Sequence, residues 1–212
     1  MTRLALLADI HSDARSLRRA LEQLAELDIA LILCAGDAID LGVPSGSDET
    51  IDLLEKAGAI CIFGNHERWV LRDEHLRKRL SRASIGWLEQ LPPSWSDRID
   101  GVRVVMWHAR PGSDMEAIDE DRLEPGEAEA ILAEARADLL VVGHYHEPGV
   151  LRSEADVIVR PGALAIDTVE GPWVFDREKG RFVQGQRERG TFAVVELPAV
   201  VAEIVEVTGA RR

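Results

Sequence analysis

The sequence predicts an α/β fold in which two mixed β-sheets lie face to face between outer helices, a four-layer αββα sandwich. Two observations predict it. Short apolar runs early in the chain alternate with segments of helical periodicity, which is typical of parallel strands joined by crossover helices. After Gly143 the apolar runs are short and separated by turn residues, which indicates an antiparallel meander. We expect one domain over residues 1–212, because no repeat or low-complexity segment divides the chain.

The first part of the chain predicts a parallel sheet. Strands are expected at residues 3–8, 29–34 and 59–63, where continuous apolar runs are typical of a sheet that is covered on both faces. Between the first two strands, leucines and alanines recur at helical spacing, and Ser12 or Asp13 can cap that helix. A weaker helical pattern precedes the third strand.

Further elements follow in order along the chain. A basic segment over residues 67–91 predicts one helix that ends before Pro92-Pro93, and residues 124–136 predict another helix. The remaining strands are expected at residues 102–107, 138–142, 150–151, 157–159, 173–175, 191–197 and 201–207.

Composition and charge restrict the class of partner. The chain is 46% hydrophobic and 30% charged, as in ordinary globular proteins, and its net charge is −13. That charge argues against non-specific binding to nucleic acid or to an anionic membrane surface. No apolar stretch is long enough for a signal peptide or a membrane span, and the two cysteines do not suggest a disulfide framework. We therefore expect a cytoplasmic protein, for which a homo-oligomer remains possible.

Seven polar side chains lie where predicted strands end: Asp9, His11, Asp37, Asn65, His108, His144 and His146. The carboxyl ends of strands in an open α/β sheet form the edge where ligands bind, so these side chains are expected to converge. Oxygen and imidazole ligands without a thiolate suit divalent metals of intermediate or hard character. Two such metals held close together are a common device for attacking a phosphate ester.

The spacing within the clusters agrees with this interpretation. Asp9 and His11 are two residues apart, as are His144 and His146. In an extended chain, side chains two residues apart point the same way, so each pair is expected to reach one metal cluster. Glycines directly precede Asp37, Asn65 and His144 and allow the close backbone approach that a crowded site requires.

Taken in order, these motifs carry a specific resemblance. The series D-x-H, G-D-x-x-D-x-G (residues 36–42), G-N-H-E, H and G-H-x-H resembles the calcineurin-like metallophosphoesterase superfamily. The chain length and a late Pro161-Gly162-Ala163 turn resemble its small bacterial phosphodiesterase branch. That branch usually has Asn-Pro-Gly-Ser at this turn, whereas this chain has Arg160-Pro161-Gly162-Ala163.

The resemblance implies two metal sites that share the carboxylate of Asp37. The first site would be completed by Asp9, His11 and His146. The second would be completed by Asn65, His108 and His144. His66 would stay free of metal and protonate the leaving oxygen as the general acid, and Asp40 would orient it.

The implied function is metal-dependent hydrolysis of small phosphodiesters, in which a hydroxide bridging two divalent ions attacks phosphorus. Mn is the expected ion, and Fe, Zn, Ni or Co are compatible with the same ligands. Two alternatives stay open: a phosphoprotein or nucleotide phosphatase, and a non-catalytic metal-binding adaptor on the same fold. The complete ligand set favours an enzyme, and the lack of a large insert for protein docking favours small phosphoesters.

Several charged residues beside the motifs keep two interpretations. Arg68 and Arg110 each follow a site residue closely and could clamp phosphate or lie exposed on the surface. Glu67 could support the metal ligands or cap the helix that it begins. The basic run at residues 68–82 and the acidic run at residues 113–138 are interpreted as solvated surface, although Arg68 and Arg72 could also gather anionic substrate.

Overall fold

Two five-stranded sheets occupy the centre of the protein, in a computed structural model that describes residues 1–41, 44–154, 156–165, 170–176, 181–186 and 189–208. Gly42, the last residue of the second predicted motif, lies outside these residues. Among the described helices, none is both long and apolar enough to cross a bilayer.

The chain forms twelve described strands and six α-helices. The strands are β1 (Thr2–Leu7), β2 (Leu31–Cys34), β3 (Ile60–Cys61), β4 (Ser94–Ile99), β5 (Val102–Trp107), β6 (Leu139–Val142), β7 (Gly149–Ser153), β8 (Asp156–Arg160), β9 (Glu170–Asp176), β10 (Arg181–Gln186), β11 (Thr191–Leu197) and β12 (Val201–Glu206). The helices are α1 (Ala14–Ala25), α2 (Pro44–Lys56), α3 (Asn65–Arg72), α4 (Glu74–Arg77), α5 (Arg82–Leu88) and α6 (Glu127–Ala135), and a 3-10 helix covers Glu120–Arg122.

Both large sheets are mixed, as predicted. The first has the strand order β12-β11-β1-β2-β3, in which β1, β2 and β3 are parallel and β11 and β12 are antiparallel additions. The second has the order β4-β5-β6-β8-β7, in which β5, β6 and β8 are parallel and the two edge strands are antiparallel. Strands β9 and β10 pair separately as a two-stranded sheet.

Alternating side chains on the central strands produce the four layers. Leu4 and Leu6 of β1 pack in the cluster that joins the two sheets, together with Met106 of β5. Their neighbours in β1 face the other way and pack against α1. In the second sheet, Val105 and Leu140 pack against α6 on the opposite side of the molecule. Since strand side chains alternate between faces, a strand covered on both sides is apolar throughout, and the predicted αββα sandwich is confirmed.

Three local predictions were wrong. The basic segment forms three short helices instead of one, because the side chain of Asp73 caps α4 and that of Ser81 caps α5. Strand β4 was missed; it is half-exposed at a sheet edge, so its apolar pattern is weak. The strands after Gly143 do not form one meander. The β7–β8 hairpin belongs to the second sheet and the β11–β12 hairpin to the first. Strand β8 also pairs in parallel with β6.

Candidate metal centre

The predicted ligands converge at one edge, where the carboxyl ends of both sheets' parallel strands meet. Their potential ligand atoms lie within 4.8 Å of one another in three overlapping groups: Asp9, His11 and His146; Asp37, His108 and His144; His11, Asp37 and His66. Asn65 joins the second group, since its Oδ1 lies 2.9 Å from His108 Nε2. The structure thus brings together all seven predicted ligands and the predicted acid.

The local backbone of the ligand loops differs from the expectation of an extended chain. Asp9, His11, Asp37, His144 and His146 all have positive φ angles, between 47° and 67°. The paired side chains reach one cluster because of this left-handed conformation, which is costly for residues other than glycine. Backbone hydrogen bonds hold it in place: the amides of Ile10 and His11 both donate to the carbonyl of Asp37, at 2.8 and 3.0 Å.

His108 is oriented so that one ring nitrogen faces the cluster. Its Nδ1 donates to the carbonyl oxygen of Ala35 at 2.7 Å, which leaves Nε2 directed into the site. Nε2 lies 3.3 Å from Oδ2 of Asp37. The ring is 1% exposed, so this orientation is fixed by packing as well as by the hydrogen bond.

The surroundings of Asn65 test whether the site fits a cation. The side-chain atom of Asn65 that points into the site occupies the Oδ1 position. It lies 2.9 Å from His108 Nε2, 3.1 Å from His144 Nδ1 and 3.3 Å from Asp37 Oδ2. With the amide oxygen in that position, it faces His144 Nδ1 and Asp37 Oδ2 with no proton between them, and of the three neighbours only His108 Nε2 can donate to it. A divalent cation would satisfy the whole set, so the donor chemistry of this group fits a metal.

The first ligand group shows the same convergence. His11 Nε2 lies 3.2 Å from His146 Nε2, and His146 Nε2 lies 3.6 Å from Asp9 Oδ1. The Asp9 carboxylate is fixed by the backbone amide of His144, which donates to both of its oxygens. Asp37 Oδ2 lies 3.9 Å from His11 Nε2, in addition to its contact with His108, so this carboxylate faces both groups.

The charges of the site favour cation binding. Burial alone would raise the pKa of the Asp37 carboxyl, but the neighbouring histidines, His108 first, hold that pKa well below its usual range. Burial opposes protonation of His108, yet the charge of Asp37 raises its pKa to about 10, so a bound cation would take the place of the proton on Nε2. Burial lowers the pKa of His11 to about 4, which keeps this ring neutral, the form that binds metal. The Asp37 carboxylate is therefore charged and is stabilised by positive charge placed next to it.

His66 lies at the side of this cluster. Its Nδ1 is 3.2 Å from Asp40 Oδ1, and its Nε2 is 3.9 Å from Asp37 Oδ2. Burial lowers the pKa of His66, but the nearby carboxylates of Asp40 and Asp37 outweigh it, and the net shift is upward. Asp40 is held in turn by Ser12, whose Oγ accepts from the Asp40 amide at 2.8 Å. The distances are compatible with the predicted acid and also with a ligand that shares a metal with His11 and Asp37.

Glu67 combines the two roles that the sequence left open. It is fully buried, and its Oε2 accepts from the amides of Gly64 at 2.7 Å and Asp37 at 3.0 Å. Its Oε1 accepts from the amide of Ile39 at 3.0 Å. One carboxylate thus begins α3 and anchors the loop that carries Asp37. The close approach of this loop to residue 64 requires a glycine there, because a Cβ on Gly64 would lie 2.2 Å from Asp37 Oδ1.

Arg68, Arg110 and Arg160 lie near ligand residues in the sequence or in the fold, since the Arg160 guanidinium lies 5.0 Å from the centre of the Tyr145 ring, and each of the three is ion-paired. Arg68 forms a two-pronged contact with Asp114, in which Nη2 lies 3.0 Å from Oδ1 and Nε contacts Oδ2. Arg110 contacts Glu116 at 2.6 Å and also Glu127. Arg160 is buried and donates to the Ile118 carbonyl and to Glu120, at 2.6 and 2.9 Å. Neither Arg68 nor Arg110 is therefore a free phosphate clamp or a bare surface residue.

Two contacts of the acidic segment were missed from the sequence. The backbone of Met115 forms a hydrogen bond with the His144 ring, and the Asp114 carbonyl oxygen lies 3.2 Å from the inward amide atom of Asn65. Both residues belong to a run of acids interpreted as solvated surface. The high local charge conceals them, because a solvated acid and an ion-paired acid look alike in a sequence.

Comparison with known proteins agrees with the geometry. Residues 2–177 match the calcineurin-like phosphoesterase superfamily domain. The chain is also similar to an uncharacterised protein of Methanocaldococcus jannaschii, at 25% identity over 178 residues, which are 77% of this chain and 70% of that protein.

Two solved structures have a similar fold. A hypothetical protein of Pyrococcus horikoshii OT3 superimposes with a TM-score of 0.78 at 19% identity, over 98% of this chain and 88% of the other. A metallophosphoesterase from Sphaerobacter thermophilus superimposes with a TM-score of 0.73 at 21% identity, over the same shares of the two chains.

Proposed function

This chain belongs to the calcineurin-like phosphoesterase superfamily, and from that premise we propose that it hydrolyses small phosphodiesters with two divalent metal ions. The observation that carries the proposal is the position of Asp37. Its Oδ2 faces His108 of one ligand group at 3.3 Å and His11 of the other at 3.9 Å. A single carboxylate that faces both ligand groups is what a pair of neighbouring ions requires.

The proposed ligands divide between the two ions around Asp37. Asp9, His11 and His146 complete the first site, and Asn65, His108 and His144 complete the second. Bound there, two divalent ions would neutralise charge on the phosphoryl group and activate water as the nucleophile. We take Mn²⁺ as the first candidate, with Fe, Zn, Ni or Co also compatible, because the ligands combine carboxylate and amide oxygens with imidazole nitrogens and lack thiolates.

The proposed general acid is His66. Its Nε2 is directed towards the cluster, and its Nδ1 lies beside the Asp40 carboxylate, which favours the protonated ring. As the bond between phosphorus and the leaving oxygen breaks, the proton on Nε2 would pass to that oxygen. Asp40 would then hold the ring in place while the product leaves.

The direct test is a panel of phosphoesters assayed with the chelator-treated protein after each metal is added back. We expect turnover of methyl p-nitrophenyl phosphate, highest with Mn²⁺, and no turnover without metal. Asp37→Asn serves as the inactive control. A protein that binds two ions and hydrolyses none of the esters would instead support the adaptor.

A further inference from the structure

The Arg68–Asp114 pair lies beside the second ligand group. Arg68 is three residues after Asn65 in α3, and the carbonyl oxygen of Asp114 is 3.2 Å from the inward amide atom of Asn65. The side chains of Arg68 and Asp114 are 23% and 21% exposed, so the pair is partly shielded from water yet open to a ligand.

We propose that Asp114 is a specificity-determining residue that favours phosphodiesters over phosphomonoesters by occupying Arg68. The inference rests on the proposed function and names the class of ester that the same site accepts. A diester carries one negative charge. A monoester has a second pKa of about 6 and carries about −1.5 to −2 at neutral pH. The additional charge requires an additional cation beside the metals.

Arginine is the side chain best suited to that task, because its planar fork matches two phosphate oxygens. In this protein the Arg68 fork is already matched to the two carboxylate oxygens of Asp114. Arg110 and Arg160 are paired with acids as well. A monoester would have to displace a carboxylate and would meet its negative charge, whereas a diester needs neither change.

The backbone holds Asp114 in this position. The Oγ of Ser113 accepts from the amides of Met115 and Glu116, at 3.1 and 3.0 Å. The amide of Arg110 donates to the Glu116 carbonyl at 2.9 Å, which closes the loop. The Met115 backbone is bound to the His144 ring. Asp114 is thus a fixed partner of Arg68 and not a mobile surface acid.

The test compares two esters with the same leaving group, p-nitrophenyl phosphate and methyl p-nitrophenyl phosphate. Asp114→Asn removes one charge with little change in volume. We expect kcat/KM for the monoester relative to the diester to rise about 10-fold to 100-fold, the value of one charge-assisted hydrogen bond. In the double variant Arg68→Gln/Asp114→Asn the ratio should return to that of the wild type.

Glu116→Gln is the matched control. It changes the charge of the same loop by the same amount, but Arg110 keeps its contact with Glu127. An equal rise of the ratio in this control, or a rise that persists without Arg68, would overturn the inference. An active protein whose ratio is unchanged in Asp114→Asn would overturn it and leave the proposed function intact, whereas a wild type that hydrolyses neither ester removes both.

A binding measurement does not depend on turnover. Calorimetry with inorganic phosphate should show tighter binding to Asp114→Asn than to the wild type, and no gain when Arg68 is also replaced. Metal content and Tm establish that each variant is folded and loaded. Unchanged phosphate affinity in a folded, loaded Asp114→Asn protein would contradict the inference.

Discussion

The candidate metal centre is built differently from the ion pairs of Arg68, Arg110 and Arg160 with their acids, which are called the ring below. The loops of the centre are buried, with Asp9, Asp37 and His108 at most 1% exposed, and they are held by backbone hydrogen bonds. The surrounding arginines are held by side-chain contacts to acids such as Glu116 and Glu120, which are 59% and 52% exposed. We therefore expect changes in the buried centre to affect metal binding and turnover, whereas changes at the exposed acids should alter selectivity at little cost to folding.

The largest effect is expected for the proposed acid of the centre. His66→Ala should lower kcat/KM for an alkyl or ribosyl diester by about 10²–10⁴-fold, because a poor leaving group needs a proton. Esters that release p-nitrophenolate need little help and should lose little activity. The measurement is the ratio of the two losses, with metal content determined on the same sample. Equal losses, or loss of an ion, would show that His66 is a ligand.

Glu67 tests how the loops of the centre are held. Glu67→Ala leaves the buried amides of Gly64, Asp37 and Ile39 without their acceptor. At about 1–3 kcal/mol for each unsatisfied group, the free energy of unfolding should fall by at least about 3 kcal/mol, and metal affinity should fall with it. Urea denaturation measures the first, and metal titration the second. Glu22→Ala, on the exposed face of α1, is the control, and an equal effect there would disprove the anchoring role.

A pair of glycines separates crowding in the centre from helix propensity outside it. Gly64→Ala would place a Cβ 2.2 Å from Asp37 Oδ1, whereas a Cβ on Gly86 of α5 meets no atom within 4 Å. We expect the first change to cost about 1–3 kcal/mol of unfolding free energy. The second should stabilise by up to about 1 kcal/mol, because alanine is the better helix former. Thermal denaturation of both variants checks the prediction, which fails if they behave alike.

The smallest effect is expected in the ring. Arg110→Gln removes the contacts to Glu116 and Glu127, which are partly exposed. Exposed ion pairs contribute little to stability, so Tm should fall slightly and metal content should stay unchanged. High salt should reduce the Tm difference, because it screens the pairs in the wild type. A large fall in Tm, or loss of metal, would mean that the ring and the centre are not separable.

The same contrast explains what could be predicted from the sequence. The proposed ligands of the centre follow strand ends, and their types and order carry the chemistry, so motifs alone are enough to name Asp9 and His144 as candidates. Their left-handed backbone could not, because a two-residue spacing also fits an extended chain. Asp114 lies in an acidic run, and only the folded chain brings it to Arg68, 46 positions away. Long-range ion pairs leave no local pattern in a sequence.

Counting bound metal ions is the most direct test of whether Asp37 joins two of them. The wild type, Asp37→Asn and the control Asp52→Asn, an exposed change of the same charge in α2, would be loaded with Mn²⁺ and measured by inductively coupled plasma mass spectrometry. We predict two ions per chain in the wild type and the control, and loss of both in Asp37→Asn, because one carboxylate serves both sites. Retention of two ions by Asp37→Asn would show that this carboxylate is not shared between two sites.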